Sequence, residues 1–248
     1  MHQIIEQQMT MYDYTKGYTA SSTRSQHDEG LRAYLLAIYR NMAAALSITA
    51  ITAYMVGSIA SVAMVLYTTP LAYFVIFSPL IYVWFFSSRM QTMSPEQAMM
   101  HLGIFAALNG LSLGSIFLVY TSASIVKTLL ITASMFGAMS IYGNSTNRDL
   151  TSLGSFAYMG VIGLIISSII NIFMQSPALE FAIAFAGVIA FTILTAYDIQ
   201  KLKSLYYSMH GNGLRAGNIA IYGALTLYLD FINLFIMLLH FLGVKKRD

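Results

Sequence analysis

Cysteine is absent from the 248 residues, which excludes disulfides, thiolate metal sites and a cysteine nucleophile. Charge is scarce too: Asp, Glu, Lys and Arg together make up 9% of the chain, against about 25% in soluble domains. A soluble globule needs a charged shell, and this chain cannot supply one. There is no Walker-type glycine loop, no HExxH and no Gly-x-Ser-x-Gly. His101 and His240 lie too far apart to make a ligand spacing. A formal net charge of +3 gives no footing for nucleic-acid binding, since basic residues at helix ends are explained by lipid topology. Residues 1–30 hold no apolar core of the signal-peptide kind. They read as a mobile cytoplasmic N-terminal segment with no fold assigned, and 31–248 as one membrane domain.

What the chain has is apolar length. Hydrophobic residues make up 57%, and mean hydropathy is +0.67. No Asp, Glu, Lys or Arg occurs from Asn41 to Ser88, Gln97 to Val126, Thr128 to Asn147, or Leu150 to Leu179. A membrane-crossing helix needs about 20 such residues. Seven segments follow: Leu35–Ile59, Leu71–Ser87, Met100–Tyr120, Val126–Gly143, Gly154–Phe173, Phe181–Leu202 and Asn218–Leu242. Tyr67-Thr68-Thr69-Pro70 breaks the first long run, and Gln175-Ser176-Pro177 makes a tight turn before the sixth segment. Small residues at Gly110/Gly114, Ala133/Gly137 and Ala182/Ala186/Ala190 have the spacing that lets membrane helices pack closely. The fold class is an all-α membrane protein with seven transmembrane helices.

Basic residues set the expected orientation. The N-terminus and the second, fourth and sixth connections carry Lys16, Arg24, Arg32, Arg40, Arg89, Arg148, Lys201, Lys203 and Arg215. The other side holds Lys127, Lys245, Lys246 and Arg247. This asymmetry predicts a cytoplasmic N-terminus. The basic tail argues the other way and leaves a re-entrant last segment open. Lys203–Gly217 reads as a long connection.

Eight of the ten acidic residues lie outside the apolar segments or at their edges. Asp198 and Asp230 do not. A charge inside the bilayer costs about 2.5–3.5 kcal/mol on insertion scales, so such residues face a bundle interior or water. Thr226 and Asn233 lie one turn either side of Asp230, and Thr195 one turn before Asp198, making them candidates to line a water or ion path. On neighbouring antiparallel helices the two acids can meet and titrate as a coupled pair. The alternative for Asp198 is an interfacial carboxylate paired with Lys201. Arg89 at the same boundary is a candidate latch on the acids, or a solvated anchor.

Arg148-Asp149-Leu150-Thr151-Ser152-Leu153-Gly154, Thr195-Ala196-Tyr197-Asp198 and Leu225-Thr226-Leu227-Tyr228-Leu229-Asp230-Phe231-Ile232-Asn233-Leu234-Phe235 carry a resemblance to the Bax inhibitor-1 family in a bacterial form. The resemblance implies six helices surrounding a central C-terminal helix, in an inner membrane. It also implies a pH-sensitive calcium leak with Asp198 and Asp230 as the sensor and Arg89 as the latch. Calcium is then cargo passing a weak site, since two carboxylates fall short of the 6–8 oxygens of a tight one. No resident cofactor and no enzymatic activity are implied. Partners are the bilayer, calcium ions and, in some bacterial relatives, a membrane-bound protease. A competing reading is a regulator acting through protein contacts. An intramembrane aspartyl protease fits less well, because Leu227-Tyr228-Leu229 precedes Asp230 where Gly-x-Gly is required.

Overall fold

The computed structural model describes residues 2–209 and 216–246, with side chains from residue 29 onward apart from residues 91, 209 and 216. The described residues form α1 (His2–Ser58), α2 (Ala60–Thr68), α3 (Leu71–Arg89), α4 (Pro95–Leu113), α5 (Ile116–Val119), α6 (Ser122–Ser145), α7 (Thr151–Met174), α8 (Pro177–Met209) and α9 (Ala216–Leu242). Seven stretches are long and apolar enough to cross a membrane: Glu29–Ser58, Leu71–Arg89, Pro95–Val119, Ser122–Ser145, Thr151–Met174, Pro177–Ser208 and Gly217–Leu242. Each contains one expected segment or nearly all of it. The chain is a multi-pass α-helical membrane protein.

Polar residues set where the helices start and stop. Ser94 and Gln97 form a reciprocal capping box ahead of α4, with Pro95 in its first turn. Thr121 caps α6 by accepting from the Ser124 amide. Gln175 ends α7 in the left-handed region, at φ 48°, and Ser176-Pro177 starts α8 at once. The first span ends where expected, at Ile59, whose backbone is extended, and a helix that the sequence did not mark, α2, follows before Thr69-Pro70. One boundary differs from expectation. The connection after Lys203 is shorter than it reads, because α8 continues to Met209. Helical backbone of α1 also covers residues 2–28, ahead of the first span.

Hydrogen bonds define the two ends of the bundle. At one end Lys203 donates to the Asn144 carbonyl, Gln200 to the Arg148 carbonyl, and Asn218 to the Met93 carbonyl. At the other, Tyr120 pairs with Lys245, and Lys245 reaches Glu180 at 3.7 Å. α9 starts at the first end and finishes at the second without a break, which sets aside the re-entrant alternative.

Burial is uneven. In α9, 56% of the most apolar stretch is buried, against 11% in α3 and 6% in α7. α9 packs on α8, α1, α6 and α4, whereas α7 packs on α8, and α3 on α4 and α2. Tyr228 and Thr49 join α9 to α1 through hydroxyls 2.7 Å apart, and Thr49 also donates to the Ala106 carbonyl of α4. Phe105 packs edge-on against the Tyr228 ring. Small residues permit the closest approaches, though only some of the expected rows serve this purpose. Gly110 meets Thr49 and Thr52 of α1. Gly137 has nothing within 4 Å, and Ala133, Ala182 and Ala186 are exposed, so those rows face outward. The tightest approach to the backbone of another helix is one the spacing did not mark: a Cβ on Gly143 of α6 would lie 2.3 Å from the Ala196 carbonyl oxygen of α8.

Candidate functional site

Two glycine contacts position Asp198. Gly143 of α6 lies against the backbone of Ala196, and Gly154 of α7 lies against the ring of Tyr197. The next residue along α8 is Asp198. One turn beyond Gly154, on the same face of α7, stands Tyr158. Its hydroxyl donates to the Asp198 carboxylate, at 3.1 Å from Oδ1 and 3.2 Å from Oδ2. The Tyr158 and Tyr197 rings meet edge to face with centroids 6.0 Å apart.

Asp230 reaches the same point from α9. Asp198 is 1% exposed and Asp230 5%, and the two carboxyls lie within hydrogen-bonding reach of each other. Two ionised carboxylates repel and can share a hydrogen bond only through a proton on one of them. Asp230 Oδ2 is buried with no hydrogen-bond partner among the described residues. The groups facing Asp198 are Tyr158 from α7, Asp230 from α9 and Lys201 from its own helix. The result is a buried acid pair with a phenol on one flank and an ammonium one turn away. It can hold or release a proton between two membrane helices.

The other residues singled out by sequence stand apart from this pair. Arg89 is exposed and lies over the Phe85 ring of its own helix, 5.1 Å from the centroid. It forms no ion pair with either acid among the described residues. The reason is placement: α3 packs on α4 and α2, whereas the acids lie on α8 and α9. Arg89→Ala is therefore expected to leave the pH profile of any transport unmoved, as is Arg89→Lys. A displaced profile in liposome flux would restore the latch. Thr195 is fully buried and donates to the Phe191 carbonyl, and the half-buried Thr226 donates to the Tyr222 carbonyl. Asn233 is half-buried. None of the three hydrogen-bonds to either acid among the described residues. No group of three or more His, Cys, Asp or Glu suited to hold a metal occurs among the described residues.

Sequence reasoning missed Tyr158, Gln200 and the Thr49–Tyr228 pair. A lone tyrosine in an apolar helix reads as core, and only its spacing from Gly154 hints at more. Tyr228 precedes Asp230 by two residues, about 200° around the helix, so the two face different neighbours. The sequence motifs do converge in space. Gly154 of the first packs on Tyr197 of the second, Gln200 accepts from the Leu150 amide at 2.9 Å, and Asp230 of the third meets Asp198.

Comparison with known proteins gives one consistent result. The family model described as "Inhibitor of apoptosis-promoting Bax1" matches residues 31–247. The inner membrane protein YbhL of Escherichia coli is 40% identical over 233 residues, covering 92% of this chain and 99% of YbhL. RP147 of Rickettsia prowazekii is 44% identical over 238 residues, covering 96% of this chain and all of RP147. A Streptococcus pyogenes chain named as a membrane protein is 32% identical over 222 residues, covering 88% of this chain and 96% of that one.

Proposed function

Because the chain belongs to the Bax inhibitor-1 family, we propose that it is a pH-sensitive cation leak of a bacterial inner membrane, with calcium as its cargo. The buried Asp198–Asp230 pair carries this reading. With a proton between them the acids hold α8 and α9 together and bear about one negative charge. Loss of that proton leaves two charges in a low-dielectric site, and their repulsion parts the helices. A cation meeting two carboxyls is attracted without being trapped, because a tight calcium site needs 6–8 oxygens. In this reading α9 is the central helix, with six others around it and α3 and α7 outermost. The end carrying Arg89, Arg148 and Lys203 faces the cytoplasm, as the distribution of basic residues favours. The inner-membrane name of YbhL supports the location.

Calcium flux into liposomes holding the purified chain, measured from pH 6 to 8, tests the proposal. Flux that varies with pH is expected. Flux equal to that of empty liposomes at every pH would leave the regulator acting through protein contacts as the better account. Reporter fusions after Gly57, Gln91 and Asn212 are expected to read outside, inside and inside. An external Gln91 would reverse the orientation.

A further inference from the structure

The bundle end that carries Arg148 and Lys203 has a polar cleft of about 380 Å³ between the α6–α7 loop and α8, lined by Asn147, Arg148, Thr151, Tyr197, Lys201 and Ser204 among others. Its walls are built. Gln200 clamps the loop to α8 by donating to the Arg148 carbonyl at 2.8 Å and accepting from the Leu150 amide. The one acid in the cleft, Asp149, is turned to the start of α7, where the Thr151 amide donates to its Oδ1 at 2.9 Å. Hydrogen bonds from the Thr151 side chain and amide hold this exposed carboxyl below the usual carboxylate range. The two cations are not held by the acid of the cleft. Neither Arg148 nor Lys201 forms an ion pair among the described residues, and the Lys201 ammonium rests over the Tyr197 ring, 5.9 Å from its centroid.

Position names the occupant. Arg148 lies just ahead of the α7 span, and Lys201 near the end of the α8 span, so both sit where headgroups meet acyl chains. α7, which forms the wall beside them, is the least buried of the spans, so lipid reaches the cleft from the side. A guanidinium fork suits phosphate oxygens, and basic pockets between membrane helices are where anionic headgroups bind. We propose that this cleft binds the phosphate of an anionic phospholipid headgroup, with Arg148 and Lys201 as its cationic contacts. Lys201 stands one turn from Asp198, so the bound headgroup would border the acid pair.

The test measures binding without ion flux, so its failure leaves the leak reading intact. Full-length protein in detergent is titrated with phosphatidylglycerol or phosphatidylcholine, and retained lipid is counted by native mass spectrometry. One saturable phosphatidylglycerol is expected, in preference to phosphatidylcholine. Arg148→Gln and Lys201→Gln should each weaken it about tenfold, as for loss of one charged hydrogen bond. Lys203→Gln is the control, because Lys203 is basic, lies at the same end and is occupied by the Asn144 carbonyl. Equal retention of the two lipids, or a Lys203→Gln loss as large as the others, would reduce the cleft to general surface charge and overturn the proposal. Glycerol 3-phosphate supplies the second arm. Binding tighter than that of phosphatidylglycerol would make the occupant a soluble phosphate ester and overturn the lipid assignment.

Discussion

Asparagine at Asp198 or at Asp230 should flatten the pH dependence of calcium flux in liposomes, and the double variant should add little to either. The two carboxyls are buried on facing helices within reach of each other, and a proton on one of them would join the pair by a hydrogen bond. Replacing one acid with an amide fills that hydrogen bond at every pH and removes the repulsion that deprotonation creates. A second replacement has nothing left to uncouple. Residues that act as a unit show coupling of about 0.5–3 kcal/mol, and a double-mutant cycle on the flux at two pH values reads it directly. The variants should melt no lower than the parent, since each removes a group that is costly to keep in a bilayer. Tyr158→Phe separates sensing from packing. Its loss of one hydroxyl takes a donor from the Asp198 carboxylate, so the flux profile should move to higher pH and keep its steepness. Full additivity of the two asparagine substitutions, or a parental profile in each, would mean the acids act independently.

Gly143→Leu should destabilise the bundle by more than any exposed substitution of equal size. A Cβ there would lie 2.3 Å from the Ala196 carbonyl oxygen and 2.9 Å from its Cα. These are backbone atoms that cannot turn aside as a flexible side chain can. Overpacking of this kind costs about 1–3 kcal/mol or more. Asp198 lies two residues beyond the contact, so parting α6 from α8 would also displace the acid. Gly137→Leu is the matched control on the same helix. Nothing lies within 4 Å of a Cβ at that position, and removing a helical glycine gains up to about 1 kcal/mol of propensity. Melting curves of both variants in the same detergent decide the matter. Equal melting temperatures would mean that α6 and α8 tolerate separation.

Hydropathy made the seven spans legible because a bilayer demands a length of uncharged residues that nothing else in the chain imitates. The separate helix α2 after Ile59 was not legible, since apolar residues stand on both sides of the break and the segments expected there leave residues 60–68 unassigned. The two acids stood out for the same reason the spans did, as charges where charge is costly. Their meeting depends on register between α8 and α9, where Gly187 of α8 lies against Met237 of α9, a contact that sequence spacing does not specify. Arg89 shows the limit in the other direction. Its place in the chain gives the end of the bundle correctly, yet being at the same end does not make α3 a neighbour of α8. Small-residue rows failed likewise at Ala133/Gly137 and Ala182/Ala186. A small residue allows close approach, and only the packing partner decides whether one occurs.

The most enclosed helix comes after every helix it packs against in chain order. Until α9 arrives, α1, α4, α6 and α8 border an unfilled groove, and Asp198 looks into it without its partner. A chain without α9 therefore presents a groove lined by four helices that α9 is shaped to fill. Tyr120 and Lys245 then fasten the tail across the far end, as a knot holds a finished seam. A stop codon in the α8–α9 connection would not yield a smaller version of the same bundle. It would yield an open one, with Asp198 facing the groove and no partner acid across from it.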